Sequence, residues 1–356
     1  MRREVLLFKL SGAHLVLLAF PVFMGSAWGQ TPHARDHDST QYQSYREQLT
    51  ARIYLSRKYT VIKFTPPEKS LSPILKYRAN TSLNVGIGAS YRSLTLNIGI
   101  GVSSFNPNSE KGETKYLDMQ GHFYTRKWNY DFMGQVYHGF YLTPEGLAAP
   151  EGENYYVRND MHLELFGIAA FRALNDRKFS YQAGLVQNEW QKKSAGSFLI
   201  GGEAFYGSIH ADSSLVPSEL DPGYAEKDIS KVHFLEIGPG IGYAYSLIIK
   251  KHFFILASAA ICLDLRYSQE IYQANMPGRL DFTPNFSARA GIGYNSQKWS
   301  LSILWFSTRI HVLGAESDYR YSLSPGNYRL IYARRFTLAH EVKKVINPVN
   351  DLIEPN

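Results

Sequence analysis

A single cysteine, Cys262, stands in the whole sequence, so no intramolecular disulfide framework and no thiolate metal cluster can form. It lies in an apolar, strand-like run and reads as a small buried residue rather than a nucleophile. After the N-terminal leader no segment approaches about 18 consecutive apolar residues, which excludes a transmembrane helix. Clustered positive charge is lacking too. The formal net charge is +7, but no Lys/Arg block interleaved with aromatics argues for nucleic acid. No His, Asp or Glu spacing reads as a dedicated metal site, and no cofactor loop is evident: Gly86-Ile87-Gly88 and Gly99-Ile100-Gly101 lack the helix that a dinucleotide site needs. The mean hydropathy of −0.26 does not exclude a membrane protein, because a barrel strand shows lipid only at every second residue.

Aromatic residues, by contrast, are plentiful, with 25 Tyr, 20 Phe and 5 Trp. Tyr and Trp suit a membrane–water boundary, since the ring is apolar and the tip polar. The first 29 residues read as a secretion signal. Arg2 and Arg3 precede an apolar run centred on Leu15–Val22, and Ala27-Trp28-Gly29 places small residues for cleavage before Gln30. Ser11, Gly12, His14, Pro21, Gly25 and Ser26 interrupt the run and make it a poor membrane anchor. Cleavage removes Arg2, Arg3, Lys9 and Glu4, which takes the formal charge from +7 to about +5.

Residues 81–102 carry the clearest pattern. Leu83, Val85, Ile87, Ala89 and Tyr91 alternate with Ser82, Asn84, Gly86, Gly88 and Ser90. After Arg92-Ser93 the alternation restarts, with Leu94, Leu96, Ile98, Ile100 and Val102 on the apolar side. Strand side chains alternate between faces, so this is a tight hairpin with one apolar and one small polar face. The pattern recurs in Leu235–Tyr243 and Phe286–Tyr294. Behind a secretion signal, it predicts an all-β antiparallel transmembrane barrel of about 12 strands. The expected strands pair as 81–102, 114–125 with 130–142, 162–172 with 179–186, 197–209 with 234–247, 253–266 with 281–294, and 299–306 with 327–336. Pro239 and Pro284 are expected at a bulge, an edge or a strand end. The connections after Leu247 and Tyr294 are short, as periplasmic turns should be, yet the long Thr143–Asn159 connection falls on the same nominal side. Residues 30–80 read as a periplasmic extension or plug, with Tyr45, Leu49 and Ile53 at helical spacing. The barrel is expected over 81–337, followed by a polar tail over 338–356.

Several stretches resemble the uncharacterised outer-membrane family known as domain of unknown function 4421. They are Tyr54-Leu55-Ser56-Arg57-Lys58-Tyr59-Thr60, Lys76-Tyr77-Arg78-Ala79-Asn80 leading into Asn84–Gly88, Lys111–Asp118, Ser194–Gly202 and Gly238–Tyr243. The family's Arg-Pro-Asp-like element near the fifth strand reads Arg158-Asn159-Asp160 here. The resemblance implies a barrel-like fold in the outer membrane of a Gram-negative cell and assigns no activity and no site residues.

With the apolar face outward, the lumen is expected to carry Asp118, His122, Glu164, Arg172, Glu203, Glu236, Asp264, Arg266, Arg289 and Arg335. Buried charges are tolerated when paired, so a structural ion-pair network is the first reading and a narrow, porin-like path for a small solute the second. Outer-membrane lipid, and the barrel-assembly machinery during biogenesis, are the expected partners. A membrane-embedded hydrolase is an alternative that would draw on His138, at an outward parity, or on the His210-Ala211-Asp212-Ser213-Ser214 cluster. A soluble periplasmic β-protein is the third reading. No catalytic residue is assigned.

Overall fold

The computed structural model describes residues 37–337 apart from 93, 103–107, 226 and 273–274. The proposed signal peptide and the C-terminal tail from residue 338 lie outside the described residues. In chain order the elements are β1 (Tyr42–Ser44), β2 (Leu49–Thr65), β3 (Leu75–Arg78), β4 (Leu83–Tyr91), β5 (Leu94–Gly101), β6 (Lys115–Tyr124), β7 (Trp128–Thr143) and β8 (Val157–Ala173). A short helix α1 (Tyr181–Leu185), β9 (Glu189–Gln191), β10 (Ala195–His210) and a single turn α2 (Pro222–Ala225) follow. The chain ends on β11 (Ile229–Ile249), β12 (Phe253–Tyr272), β13 (Gly278–Asn295), β14 (Trp299–Leu313) and β15 (Arg320–Phe336).

Strict alternation makes the long strands. Along β12, Phe253, Ile255, Ile261, Leu263, Leu265 and Tyr267 are exposed on the outside, while Phe254, Leu256, Cys262, Asp264, Arg266 and Glu270 are buried inside. Each strand pairs antiparallel with its neighbours, and the sheet closes when β15 pairs β2 from Arg320↔Thr65 to Phe336↔Leu49. The closed ring has ten strands, β2, β3, β7, β8 and β10 to β15. β4 and β5 extend from the first half of β2, β6 extends from β7, and no ladder joins β5 to β6 among the described residues. The expected twelve-strand barrel is therefore corrected to a ten-strand ring with three flanking strands.

Two misread segments account for most of the difference. Phe179–Val186 is not a strand but contains α1, whose first turn is capped by Ser180 accepting from the Ala183 N–H at 3.0 Å. Its apolar side chains face the barrel interior, where Phe179, Tyr181 and Leu185 pack with Phe171, Leu199, Phe254 and Leu256. The strand that replaces it is β2, and the barrel begins at Leu49 rather than at residue 81. Helical spacing of Tyr45, Leu49 and Ile53 hid a period-two pattern in which Ile53 and Leu55 face out and Arg52, Ser56 and Thr60 face in.

The connections at residues 125–127, 250–252 and 296–298 lie at one end, here called lower, with β1, α1 and β9. Lys250 and Lys251 both take positive φ, 51° and 66°, and the His252 N–H closes this turn onto the Ile249 carbonyl at 3.3 Å. The strand ends at Thr65, Thr143, His210, Tyr272 and Leu313 lie at the upper end. Thr143–Asn159 is thus opposite the short turns, not beside them; the misplaced strand had inverted its parity. A bulge at Gly139, with φ 90°, shifts register between β7 and β8, and a Cβ there would meet the Glu113 carbonyl at 2.2 Å. Pro239 and Pro284 sit inside long strands, each where the ladder to one neighbour is interrupted or has ended, so no N–H is missed there.

Candidate functional site

The lumen is filled in layers. At the upper end Ile62, Phe64, Tyr77, Phe140, Leu163 and Leu323 form a dry core that also takes in Leu215 and Val216 of the 211–228 loop. Tyr77 donates to the Leu215 carbonyl at 2.9 Å. Arg158 grips Asp160 through two bonds of 2.8 Å and donates to the Ser214 carbonyl at 2.8 Å, so the Arg-Asn-Asp element pins this loop. Asp221 accepts from Tyr319 at 2.6 Å and Ser72 at 3.0 Å, tying three upper loops together. Burial alone would raise its carboxyl, but these donors hold it below the ordinary carboxylate range.

Beneath this core lies a buried polar layer. Glu236, Arg266 and Asp281 are cross-strand neighbours on β11, β12 and β13. Arg266 donates through Nε to Glu236 at 2.7 Å and lies 3.6 Å from Asp281. The Asn285 amide reaches Glu236 at 2.7 Å, Glu203 at 3.2 Å and also Asp264. Cys262 lies with Glu203 and Asp264, their donor atoms within 4.8 Å of one another. All three are buried, and Asn285 already holds both carboxylates, so the cluster reads as packing rather than as an open metal site. On the opposite wall Asp118 accepts from Gln135 at 2.8 Å and Tyr137 at 2.6 Å and pairs with Lys58 at 3.2 Å. Asp131 joins His122, at 2.6 Å, to Arg289. Between these pairs remains a cavity of about 60 Å³ lined by Gln120, His122, Asp131, Glu203, Arg289 and Phe306, room for a few waters.

The lower end is closed by the segment between β8 and β10. Asn295 donates to the Ala183 carbonyl at 3.0 Å and the Glu189 carbonyl at 2.9 Å. Arg335 bonds Asn295 at 2.9 Å and the Gln187 carbonyl, and Arg52 donates to the Val186 carbonyl at 2.9 Å. β1 pairs β9 beneath them. Asn295→Ala removes the side-chain donor from the buried Ala183 carbonyl and leaves the Glu189 carbonyl only Arg335 at 3.3 Å, and is expected to loosen this plug by about 1–3 kcal/mol. The readout is faster tryptic cleavage after Arg177, Lys178, Lys192 or Lys193 of the detergent-solubilised protein.

Eight of the ten expected lumen charges therefore point inward: Asp118, His122, Glu203, Glu236, Asp264, Arg266, Arg289 and Arg335. Arg335 serves the plug rather than the ion-pair layer. Glu164 and Arg172 are corrected to the outer face, where Phe166 and Arg172 are exposed; the inward side of β8 is Leu163, Leu165 and Phe171. Here the wall backs onto dry core, so the polar side is not the inner side. Sequence reasoning missed Asp131 and Asn285 as network members, although Asp131 shares a face with Gln135 and Tyr137. It missed Arg52 and Lys58 because their strand read as a helix.

The hydrolase candidates do not converge. On the outer face the His138 ring lies tilted against His162, centroids 3.9 Å apart, and His162 stacks on His210 at 4.6 Å. Ser213 is engaged by Arg158 at 3.0 Å, and the Asp212 N–H bonds Asp160 at 3.1 Å.

None of the curated proteins matches this chain. Solved structures similar to it include the TodX monoaromatic hydrocarbon channel deltaS2 mutant, at 8% identity and TM-score 0.28, covering 81% of this chain and 90% of that one. OmpT, an outer membrane protein of Vibrio cholerae, matches at 8% identity and TM-score 0.25 over 81% and 98%. A Pseudomonas aeruginosa FadL homologue matches at 8% identity and TM-score 0.23 over 81% and 90%. The model of the domain of unknown function DUF4421 matches residues 36–336, and the chain belongs to that family.

Proposed function

We propose that the protein is exported by its N-terminal signal, inserted by the barrel-assembly machinery, and resides in the outer membrane as a sealed barrel with a structural role. The observation that carries this reading is the outer surface. Ile53, Ile87, Ile98, Ile237, Ile241, Ile261, Leu263 and Leu330 are exposed on strand after strand, while the inner face carries paired charge. A water-facing surface does not tolerate so continuous an apolar band, whereas a lipid-facing one requires it. Below the band run aromatic contacts, Trp128 with Tyr130, Phe198 with Tyr243, Phe253 with Tyr294, and Tyr294 with Trp299, as in a boundary girdle.

Sealing at both ends supports a structural role over passive transport. The polar latches of the lower plug support a second reading, a narrow path for small solutes when the plug is displaced. The purified protein in detergent is expected to run at a different apparent mass unboiled than boiled, and to give no steady conductance in planar bilayers. Steady open-channel current would favour the passive path. Solubility without detergent and no gel shift would reject the barrel reading.

A further inference from the structure

On the upper outside of β14, β15, β2 and β3 lies a groove of about 900 Å³. Its walls carry Arg57, Lys63, Lys76, Arg78, Arg309 and Arg320, and no Asp or Glu lines it. The groove is on the outer face, because the alternate residues Ile62, Phe64, Tyr77, Ile310, Tyr321 and Leu323 are buried inside. Cross-strand register builds it row by row. Ile303, Leu330, Leu55 and Val85 are neighbours in one apolar row. Above it, Trp305, Tyr328 and Arg57 are neighbours at the boundary. Higher still, Ser324, Val61 and Arg78 run in register, then His311, Ser322, Lys63 and Lys76. Arg309 stands beside the first of these rows and Arg320 above the second. Ser307, Ser322 and Ser324 leave the hollow between the cationic side chains.

Six cations around one hollow repel each other, and none forms an ion pair with a described residue. Inside the barrel, by contrast, Arg266 is matched with Glu236 and Asp281, and Arg289 with Asp131. A cluster left unmatched calls for an anion with several charges. Short turns at the lower end and long connections at the upper end match the periplasmic and outer sides of such a barrel, and we infer that the groove binds the headgroup of an outer-leaflet lipid bearing two or more phosphates. Its site favours a lipid over a free anion: the apolar row of Leu55, Ile303 and Leu330 lies directly below, where acyl chains run, and Trp305 and Tyr328 mark the interface. Arg offers phosphate a bidentate fork, and Lys63 and Lys76 add point charges. The inference rests on the outer-membrane reading.

The test is native mass spectrometry of the full-length purified protein in detergent, titrated with a bisphosphorylated glycolipid and with the same lipid enzymatically dephosphorylated. The bisphosphorylated form is expected to bind at least tenfold more tightly. Lys63→Gln, Lys76→Gln, Arg309→Gln and Arg320→Gln combined are expected to weaken it by roughly a hundredfold or more. Arg309→Lys with Arg320→Lys should retain most of the affinity. Each protein is also run unboiled and boiled, and if the quadruple variant shows no folded band, Lys76→Gln and Arg309→Gln are measured singly. Equal affinity for the two lipids in wild-type protein that keeps its gel shift overturns the site and leaves the barrel standing. Displacement by millimolar inorganic phosphate at full occupancy overturns the lipid in favour of a soluble anion. Loss of the gel shift in wild-type protein, with solubility free of detergent, overturns the barrel reading and the site with it.

Discussion

Arg266→Met is expected to destabilise the barrel by about 3–5 kcal/mol, the usual cost of removing one partner from a buried ion pair. Arg266 is fully buried, and its guanidinium is the cation bonded to Glu236 and close to Asp281. Glu203 and Asp264 stand in the same layer, joined to Glu236 only through the neutral Asn285 amide. Methionine fills much of the volume but leaves the Glu236 carboxylate without a counter-charge in a site closed to bulk water. Adding Glu236→Gln to Arg266→Met removes the stranded charge and should recover a substantial part of the loss, since replacing both partners is far milder than orphaning one. The measurement is the temperature at which the unboiled, folded band disappears on a gel, for wild type, both single variants and the double. If Arg266→Met melts with wild type, the layer does not hold the lumen together. If the double variant is no better than the single one, packing rather than charge is what Arg266 supplies.

The second large effect lies on the outer wall. Ile261 is close to the middle of β12, flanked across the ladder by Ile241 and Phe286, and its side chain is exposed. In a bilayer that exposure is to hydrocarbon, so Ile261→Arg is expected to cost about 2–4 kcal/mol. Tyr267→Arg lies three outward positions higher on the same strand, toward the upper rim, and should cost about 0–1 kcal/mol. Native Arg309 and Arg320, outside the same barrel near that rim, show where the surface accepts cationic side chains. Folding titrations into lipid vesicles give both numbers. Equal small costs would mean that this face meets water, and the proposed location would fall with that result.

The two effects separate what the barrel holds inside from what it shows outside, and the sequence conveyed these unequally. The outer face was legible wherever an apolar row alternated with a polar one. That is why the 83–91 and 94–101 hairpin and the strands from Ala195 onward were found. Where the contrast failed, so did the reading. On β8 Leu163, Leu165 and Phe171 face a dry core while Phe166 faces outward, so both sides look alike and Glu164 and Arg172 were turned the wrong way. In Phe179–Val186 apolar residues serve a plug buried by the barrel around them, which no local period can distinguish from a lipid-facing strand.

By itself the sequence determined the class of fold, the period-two faces where apolar and polar rows alternate, and membership of its family. Those depend on residues near one another in the chain, whose side-chain alternation is set by strand geometry alone. Only the tertiary structure decided that β2 closes the ring against β15, nearly three hundred residues away (Leu49↔Phe336). It also decided that the 174–194 segment turns inward under Asn295 and Arg335, and that cations from β2, β3, β14 and β15 meet at one outer groove. Each is a pairing between distant segments, and its energy comes from a partner that local pattern does not name.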